Sequence, residues 1–493
     1  MTRQSLERAT LLLALLAALA YGAFLMAHAS RGVSGSDTAG YANTARDIFA
    51  GRVVLPIGAL EKLGLDERWA PVFTPLAHET GPRPGTMVPY YPPGFPLHIA
   101  LAAAVAGWSA APFVVSPIAA VLCLVLTFLL GCELGLSRPY ALAGSAVLGS
   151  WVVFLFHAIQ PMSDVTACLW ATASVVAGLR ARRRAGWAAA AGAAFGIAVL
   201  VRPTNVLLLP ALALALPWSA RAIALFAAGG LPFAGFYGAW NRTLFGSPFK
   251  TGYTHQFSGE LAAANFGPRF ARYGSWMIKE YSPLVPLGWL AACVDRRLPG
   301  RNRAMLFLWF AAIFLFYCFW GPSDNWTYGR YFLPAAPALV VGFLLCLRGL
   351  AERVAAPVWR AAAVAVVLAV ILVCERRVVA HRGGLGGGDR GAVYPEASRA
   401  IAAQVGGADA LVVSMEFSAA LRYYTGLTPV RWDWITAPDF ALLRARAARR
   451  GMRLYAVLLP QEVAPAIERV PGPWVFLGNV RHAGLWELPP PPP

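Results

Sequence analysis

Charge is scarce in this chain, and so is cysteine outside its apolar runs. Asp, Glu, Lys and Arg make up 13% of the 493 residues, hydrophobic residues 58%, and the mean hydropathy is +0.55. A soluble domain carries about 25% charged and about 45–50% apolar residues, so that class is excluded. The seven cysteines, Cys123 through Cys374, sit in or beside apolar segments. None lies in a long polar stretch, which leaves no disulfide framework and makes the sulfurs packing groups. Walker, metalloprotease, nucleophile-elbow and CxxC motifs are also missing. ATP-driven transport and the common hydrolase routes therefore lack their residues.

What is present is a series of apolar runs of membrane-spanning length, ending near Cys374. Eleven crossings are expected, at 9–29, 112–131, 140–158, 163–180, 187–201, 204–218, 221–240, 283–294, 304–320, 331–348 and 358–375. Arg3 and Arg8 precede the first, and no small-residue cleavage site follows it before Ser30, so it reads as a retained anchor. The net charge of +18 does not point to nucleic acid, because the arginines are grouped between spans. Arg180 with Arg182, Arg183 and Arg184, then Arg296, Arg297, Arg301 and Arg303, then Arg348, Arg353 and Arg360 mark the cytoplasmic side. Counting Phe95 to Trp108 as a crossing would export two of these clusters, so that run is expected to lie along the outer leaflet.

The expected architecture is a polytopic α-helical protein of the plasma (inner) membrane, with a cytoplasmic N-terminus and a small exported α/β domain. Residues 1–375 form the membrane domain, including a first exported loop at 30–111, and 376–493 form the tail. A further exported loop is expected at 241–282. The tail opens on the glycine run 383–388, a linker. Strand-like runs Ala410 to Ser414, Leu454 to Leu459 and Trp474 to Gly478 then alternate with helical patterns at Pro395 to Val405 and Pro438 to Arg450.

Polar groups on the expected outer side are Asp37, Tyr41, Tyr90, Tyr91, Asp164, Arg202, Asn205, Asn241, Tyr253, His255, Asp324, Arg330 and Tyr331. Carboxylates and arginines at a bilayer face suit an anionic lipid substrate. Each has a plainer reading beside it. Asp37 is an N-cap candidate for a surface helix over Ala39 to Ala50, and Asp164 for the helix beginning at Ser163. Arg202 reads equally as a side chain snorkelling from a helix end, and Tyr90 and Tyr91 as an interfacial aromatic belt.

Taken in order, Asp37 with Tyr41, Tyr91-Pro92-Pro93-Gly94-Phe95-Pro96, Gln160-Pro161-Met162-Ser163-Asp164, Arg202-Pro203-Thr204-Asn205, Phe245-Gly246-Ser247-Pro248-Phe249 with Gly252-Tyr253, and Tyr328-Gly329-Arg330-Tyr331-Phe332-Leu333-Pro334 form a pattern. With it the chain resembles the GT-C superfamily of membrane glycosyltransferases over almost its whole length. The resemblance is in particular to bacterial relatives of protein O-mannosyltransferases and to the aminoarabinose transferases that modify lipid A. Leu421-Arg422-Tyr423-Tyr424-Thr425-Gly426 resembles a tail segment of bacterial members.

The resemblance implies transfer of a sugar from a polyprenyl-phosphate donor to an envelope acceptor, whether lipid, polysaccharide or protein, at the exported face. Asp37 and Asp164 are then the catalytic carboxylates, with Asp37 the general base. Arg330 and Arg202 would meet the leaving phosphate. Tyr41, Tyr91, Asn205, Tyr253 and Tyr331 would line the substrates. Members differ in whether they hold a divalent metal ion, so a metal bridging the two carboxylates stays open. One departure bears on the donor: the aminoarabinose transferases carry lysine where this chain has Tyr91. The rival reading is a non-enzymatic transporter or carrier of lipid-linked saccharide, since polar groups between helices also mark transport paths. No inverted repeat is visible, and large asymmetric loops favour surface chemistry.

Overall fold

A helix lies on each of the eleven expected spans in the computed structural model, which describes residues 3–254, 259–321, 325–386, 391–407 and 409–490. Six helices are long and apolar enough to cross a membrane: Ala9–His28, Ala111–Glu133, Ala220–Phe245, Gly300–Cys318, Trp326–Ala351 and Pro357–Arg382. Arg138–Ser150 and Val152–Ala158 add a seventh as a pair bent by 72°. Ser163–Ala181, Trp187–Val201, Leu284–Val294 and the 3-10 turn Pro203–Leu208 with Leu209–Ala215 are shorter or more polar. Length and composition thus qualify six or seven crossings. The physical reason is reach: the 15 residues of Trp187–Val201 rise about 22 Å, against a hydrocarbon core of about 30 Å. Phe95 to Trp108 falls on the 13-residue helix Gly94–Ala106.

By contact the chain divides into two units. One holds Met1–Ala29, Phe113–Tyr237 and His255–Gly387; the other holds Ser30–Pro112, Gly238–Thr254 and Gly388–Pro493. The secondary structure of the first is helical among its described residues, around a core that includes Trp151, Tyr273, Trp309, Phe310 and Phe332. Small residues let its helices touch. A Cβ on Gly192 would stand 1.9 Å from the Phe226 carbonyl oxygen, and one on Gly229 would stand 2.0 Å from that of Ala189. Helices Trp187–Val201 and Ala220–Phe245 therefore pack backbone to backbone, the close crossing that glycine permits between membrane helices.

The second unit contains two sheets. Strands β1 (Leu55–Pro56), β2 (His78–Thr80) and β3 (Thr86–Pro89) pair antiparallel in the order β1-β3-β2. Strands β4 (Ala410–Val413), β5 (Thr428–Val430), β6 (Arg453–Leu458), β7 (Val475–Val480) and β8 (Ala483–Leu488) form a mixed sheet in the order β5-β4-β6-β8-β7. The three expected strands of the tail are β4, β6 and β7, and its two expected helices are Val393–Val405 and Ala437–Arg449. Helices Ser418–Tyr424 and Pro460–Arg469 and strands β5 and β8 add to that reading.

The sequence pattern joins 30–111 to the membrane helices, whereas the structure joins it to the tail. Ile57, Leu60, Leu63, Trp69 and Phe73 share one core with Leu411, Val430, Phe440, Leu443 and Leu454. These loop side chains are apolar, and the tail strands give them a place to leave water.

Candidate active site

Within the second unit, Asp37 stands in the first turn of helix Gly35–Phe49, where a negative charge suits the helix dipole. It is not the cap. Ser34 occupies that position, its backbone N–H bonded to Thr38 Oγ1, whose hydroxyl donates back to the Ser34 carbonyl. The helix begins four residues ahead of the expected Ala39, so the cap position falls to Ser34 and not to Asp37. Its Oδ1 accepts a hydrogen bond from the Tyr91 hydroxyl.

Gly40 makes that contact sterically possible, because a Cβ there would stand 2.2 Å from the Ala77 Cβ and 2.8 Å from Tyr91 Cε2. Tyr91 is 8% exposed and Tyr41 6%, with ring centroids 4.6 Å apart, and Tyr41 meets Phe95 edge-on at 5.0 Å. Gly252 passes so close to the Tyr90 carbonyl oxygen, 2.2 Å from a built Cβ, that Tyr253 reaches the same group. Its ring lies 5.2 Å from Tyr90 and 6.3 Å from Tyr91. Burial first, and then the Asp37 charge, push the Tyr91 phenol well above its ordinary range, so it stays a donor at neutral pH. The result is a carboxylate held by the hydroxyl of one member of an aromatic cluster, a setting that suits both proton abstraction from a hydroxyl and stacking of a sugar ring.

Within the first unit, Asp164 is the second residue of helix Ser163–Ala181 and is 1% exposed. No side-chain cap bond forms at that helix start. The carboxylate instead takes a hydrogen bond from Arg202, held where the helix Trp187–Val201 ends in extended backbone. The Arg202 guanidinium lies 5.4 Å from the Tyr331 ring centroid, and that of Arg330 lies 5.9 Å from it and 5.3 Å from the Tyr328 ring. Arg330 and Tyr331 belong to the 3-10 segment Trp326–Ala335. Tyr331 stacks on Tyr317 at 4.2 Å, whose hydroxyl is 3.0 Å from Thr204 Oγ1.

Asn205 is 1% exposed; its amide nitrogen donates to the Ala198 carbonyl and closes a helix end, while its Oδ1 is buried without a partner among the described residues. Asn241 likewise ties the turn at the Pro248 carbonyl. His255 and Asp324 lie outside the described residues.

The sequence reading missed His157. It is 1% exposed, its Nδ1 is 2.7 Å from the Val153 carbonyl oxygen, and it faces Asp164, Arg202 and Arg330 electrostatically. The signal was a histidine three residues before the Gln160-to-Asp164 motif in an otherwise apolar run. Also missed was the Asp47, His78 and Arg422 group of the second unit.

Among the described residues no three His, Cys, Asp or Glu side chains stand together as ligands. Asp164 already carries a guanidinium, and Asp37 a phenol.

Compared with solved structures, the chain is similar to ArnT from Cupriavidus metallidurans bound to undecaprenyl phosphate, at 16% identity and a TM-score of 0.60, covering 97% of each chain. It is also similar to the oligosaccharyltransferase AglB from Archaeoglobus fulgidus in complex with an inhibitory peptide and a dolichol-phosphate, at 12% identity and a TM-score of 0.57, covering 97% of this chain and 74% of that one. The fold of this chain is that of these solved structures. With its apolar helices, this makes the chain a multi-pass membrane protein. Neither a family model nor a curated protein sequence matches it.

Proposed function

We propose that this GT-C protein transfers a sugar from a polyprenyl-phosphate donor to an envelope acceptor at the exported face of the plasma membrane. The observation that carries the reading is Asp37, a carboxylate bonded by the Tyr91 hydroxyl, with the Tyr91 ring packed against those of Tyr41, Tyr90 and Tyr253. Asp37 takes the proton of the acceptor hydroxyl as that oxygen attacks the anomeric carbon. The bond from that carbon to the phosphate oxygen breaks, and the leaving phosphate departs on its lipid. The resemblance assigns the charge that develops on it to Arg330 and Arg202. Asp164 orients Arg202 and is its counter-charge.

The structures bound to undecaprenyl phosphate and dolichol-phosphate support a polyprenyl carrier for a protein of this fold. Eleven crossings, a cytoplasmic N-terminus and an exported tail belong to the same proposal and rest on the arginine clusters between spans. The test is purified protein with a defined polyprenyl-phosphate sugar and an extract of envelope lipids, polysaccharides and proteins, read by mass spectrometry. Transfer of a hexose or pentose supports the reading. Binding of the donor with neither transfer nor hydrolysis would favour a carrier.

A further inference from the structure

We propose that the tail helix Ser418–Tyr424 positions the general base, acting through Arg422 on the helix that carries Asp37. The inference rests on Asp37 being that base. Leu421 to Gly426 encodes a short anchored element. Leu421 is fully buried, Thr425 Oγ1 donates to the Leu421 carbonyl at 2.6 Å, and Gly426 stops the helix with φ +71°.

The three residues between reach back across the second unit. Arg422 forks onto Asp47, Nη2 to Oδ1 at 2.8 Å and Nη1 to Oδ2 at 3.1 Å, and Nη1 also donates to His78 Nε2 at 2.9 Å. The Tyr423 carbonyl accepts from Arg46, whose guanidinium lies 3.7 Å over the Tyr423 ring. The Tyr424 hydroxyl accepts from the Val33 backbone N–H at 2.7 Å. Asn43 Nδ2 donates to the Ala419 carbonyl at 2.9 Å.

These contacts grip the Gly35–Phe49 helix at two places. Val33 adjoins its N-cap, and Asn43, Arg46 and Asp47 lie near its far end. One attachment would leave a helix free to pivot, whereas two fix its rotation and its shift along the axis. Asp47 is ten residues from Asp37, about 15 Å along the helix, so Arg422 cannot touch the reacting atoms. It can only set where the carboxylate stands, and a displacement of about 1 Å at a reacting group costs on the order of 10²-fold in rate.

The closing experiment compares Arg422→Gln, Arg422→Lys, Tyr424→Phe and Asp37→Asn in the full-length protein. It measures kcat, donor KM, thermal stability and membrane abundance. The expected result for Arg422→Gln is kcat lower by about 10–100-fold with donor KM within about twofold, in protein that remains folded. Arg422→Lys should recover part of kcat, because it keeps the charge beside Asp47 without the fork. A merely structural role would lower the folded amount and leave kcat per folded molecule unchanged, and that outcome overturns the proposal. Should Arg422→Gln fail to fold, Arg422→Lys and Tyr424→Phe carry the test, and wild-type kcat in both overturns it. An inactive Asp37→Asn beside a fully active Arg422→Gln refutes the positioning role alone. An active Asp37→Asn removes the base reading and this inference with it.

Discussion

Replacing Asp37 by asparagine separates catalysis from support, because the structure assigns the capping task elsewhere. Ser34 and Thr38 close the helix start, and neither changes. Asparagine still offers an oxygen to the Tyr91 hydroxyl, so that bond loses its charge assistance and keeps its partner. The stability terms at risk are the first-turn charge, about 0.3–1 kcal/mol, and the difference between a charged and a neutral hydrogen bond, about 1 kcal/mol. Loss of a general base costs about 10²–10⁴ in rate, equivalent to about 2.7–5.5 kcal/mol of barrier. Activity should therefore collapse while membrane abundance stays within about twofold. The assay is initial-rate transfer from a defined polyprenyl-phosphate sugar, with rates normalised to folded protein by size-exclusion chromatography. If Asp37→Asn keeps half of the wild-type rate, the carboxylate is not the base and the reasoning fails.

At Arg330, alanine should cost about 10- to 150-fold in turnover and lysine less, because lysine preserves charge without the bidentate fork; wild-type turnover by Arg330→Ala would leave it an interfacial side chain. Asp164→Ala strands the Arg202 guanidinium, which is 14% exposed, and should destabilise the protein by about 3–5 kcal/mol, seen as a fall in the thermal midpoint that Asp164→Ala with Arg202→Leu partly restores. Glu79, pushed up from 4.5 to about 7 by burial, binds a proton in the folded state that the unfolded chain releases between those values. Stability of the protein should fall as pH rises through that window, by about 1–3 kcal/mol after solvent screening, and thermal melts of Glu79→Gln should lose that slope. Reporter fusions at Arg183, Arg301 and Arg353 should read as cytoplasmic and one at Asp66 as exported; an exported Arg183 would break the eleven-crossing count.

The helices were legible because their signal is local. An apolar run from Ala111 to Glu133 has one good solution in lipid, and nothing distant alters it. The start of the Asp37 helix was less legible, since Ser34, Ser36, Asp37 and Thr38 are all good caps by type. The choice was made by Thr38 turning back on Ser34, a contact four residues long that composition does not display. The strands β5 and β8 escaped notice because one is three residues long and the other opens Ala-Gly, too brief or too glycine-rich to alternate.

Partner choice among the polar groups is where local reasoning stops. Asp164 and Arg202 were each visible as candidates, yet nothing in either motif says that one neutralises the other across 38 positions. Asp47 drew no attention at all, because an acid next to Arg46 in an amphipathic helix looks like solvated surface. Its real partner is Arg422, 375 residues away, and burying both charges is tolerable because each meets the other, with His78 Nε2 accepting a further Arg422 N–H. A charge that must be paired inside a fold carries its meaning in a residue from another part of the chain. Desolvation alone would raise the Asp47 carboxyl, and the two bonds from Arg422 hold it below its usual range. Removing Arg422 should therefore return Asp47 toward a protonated carboxyl, which ties the integrity of the Asp37 helix to a side chain that the loop itself does not contain.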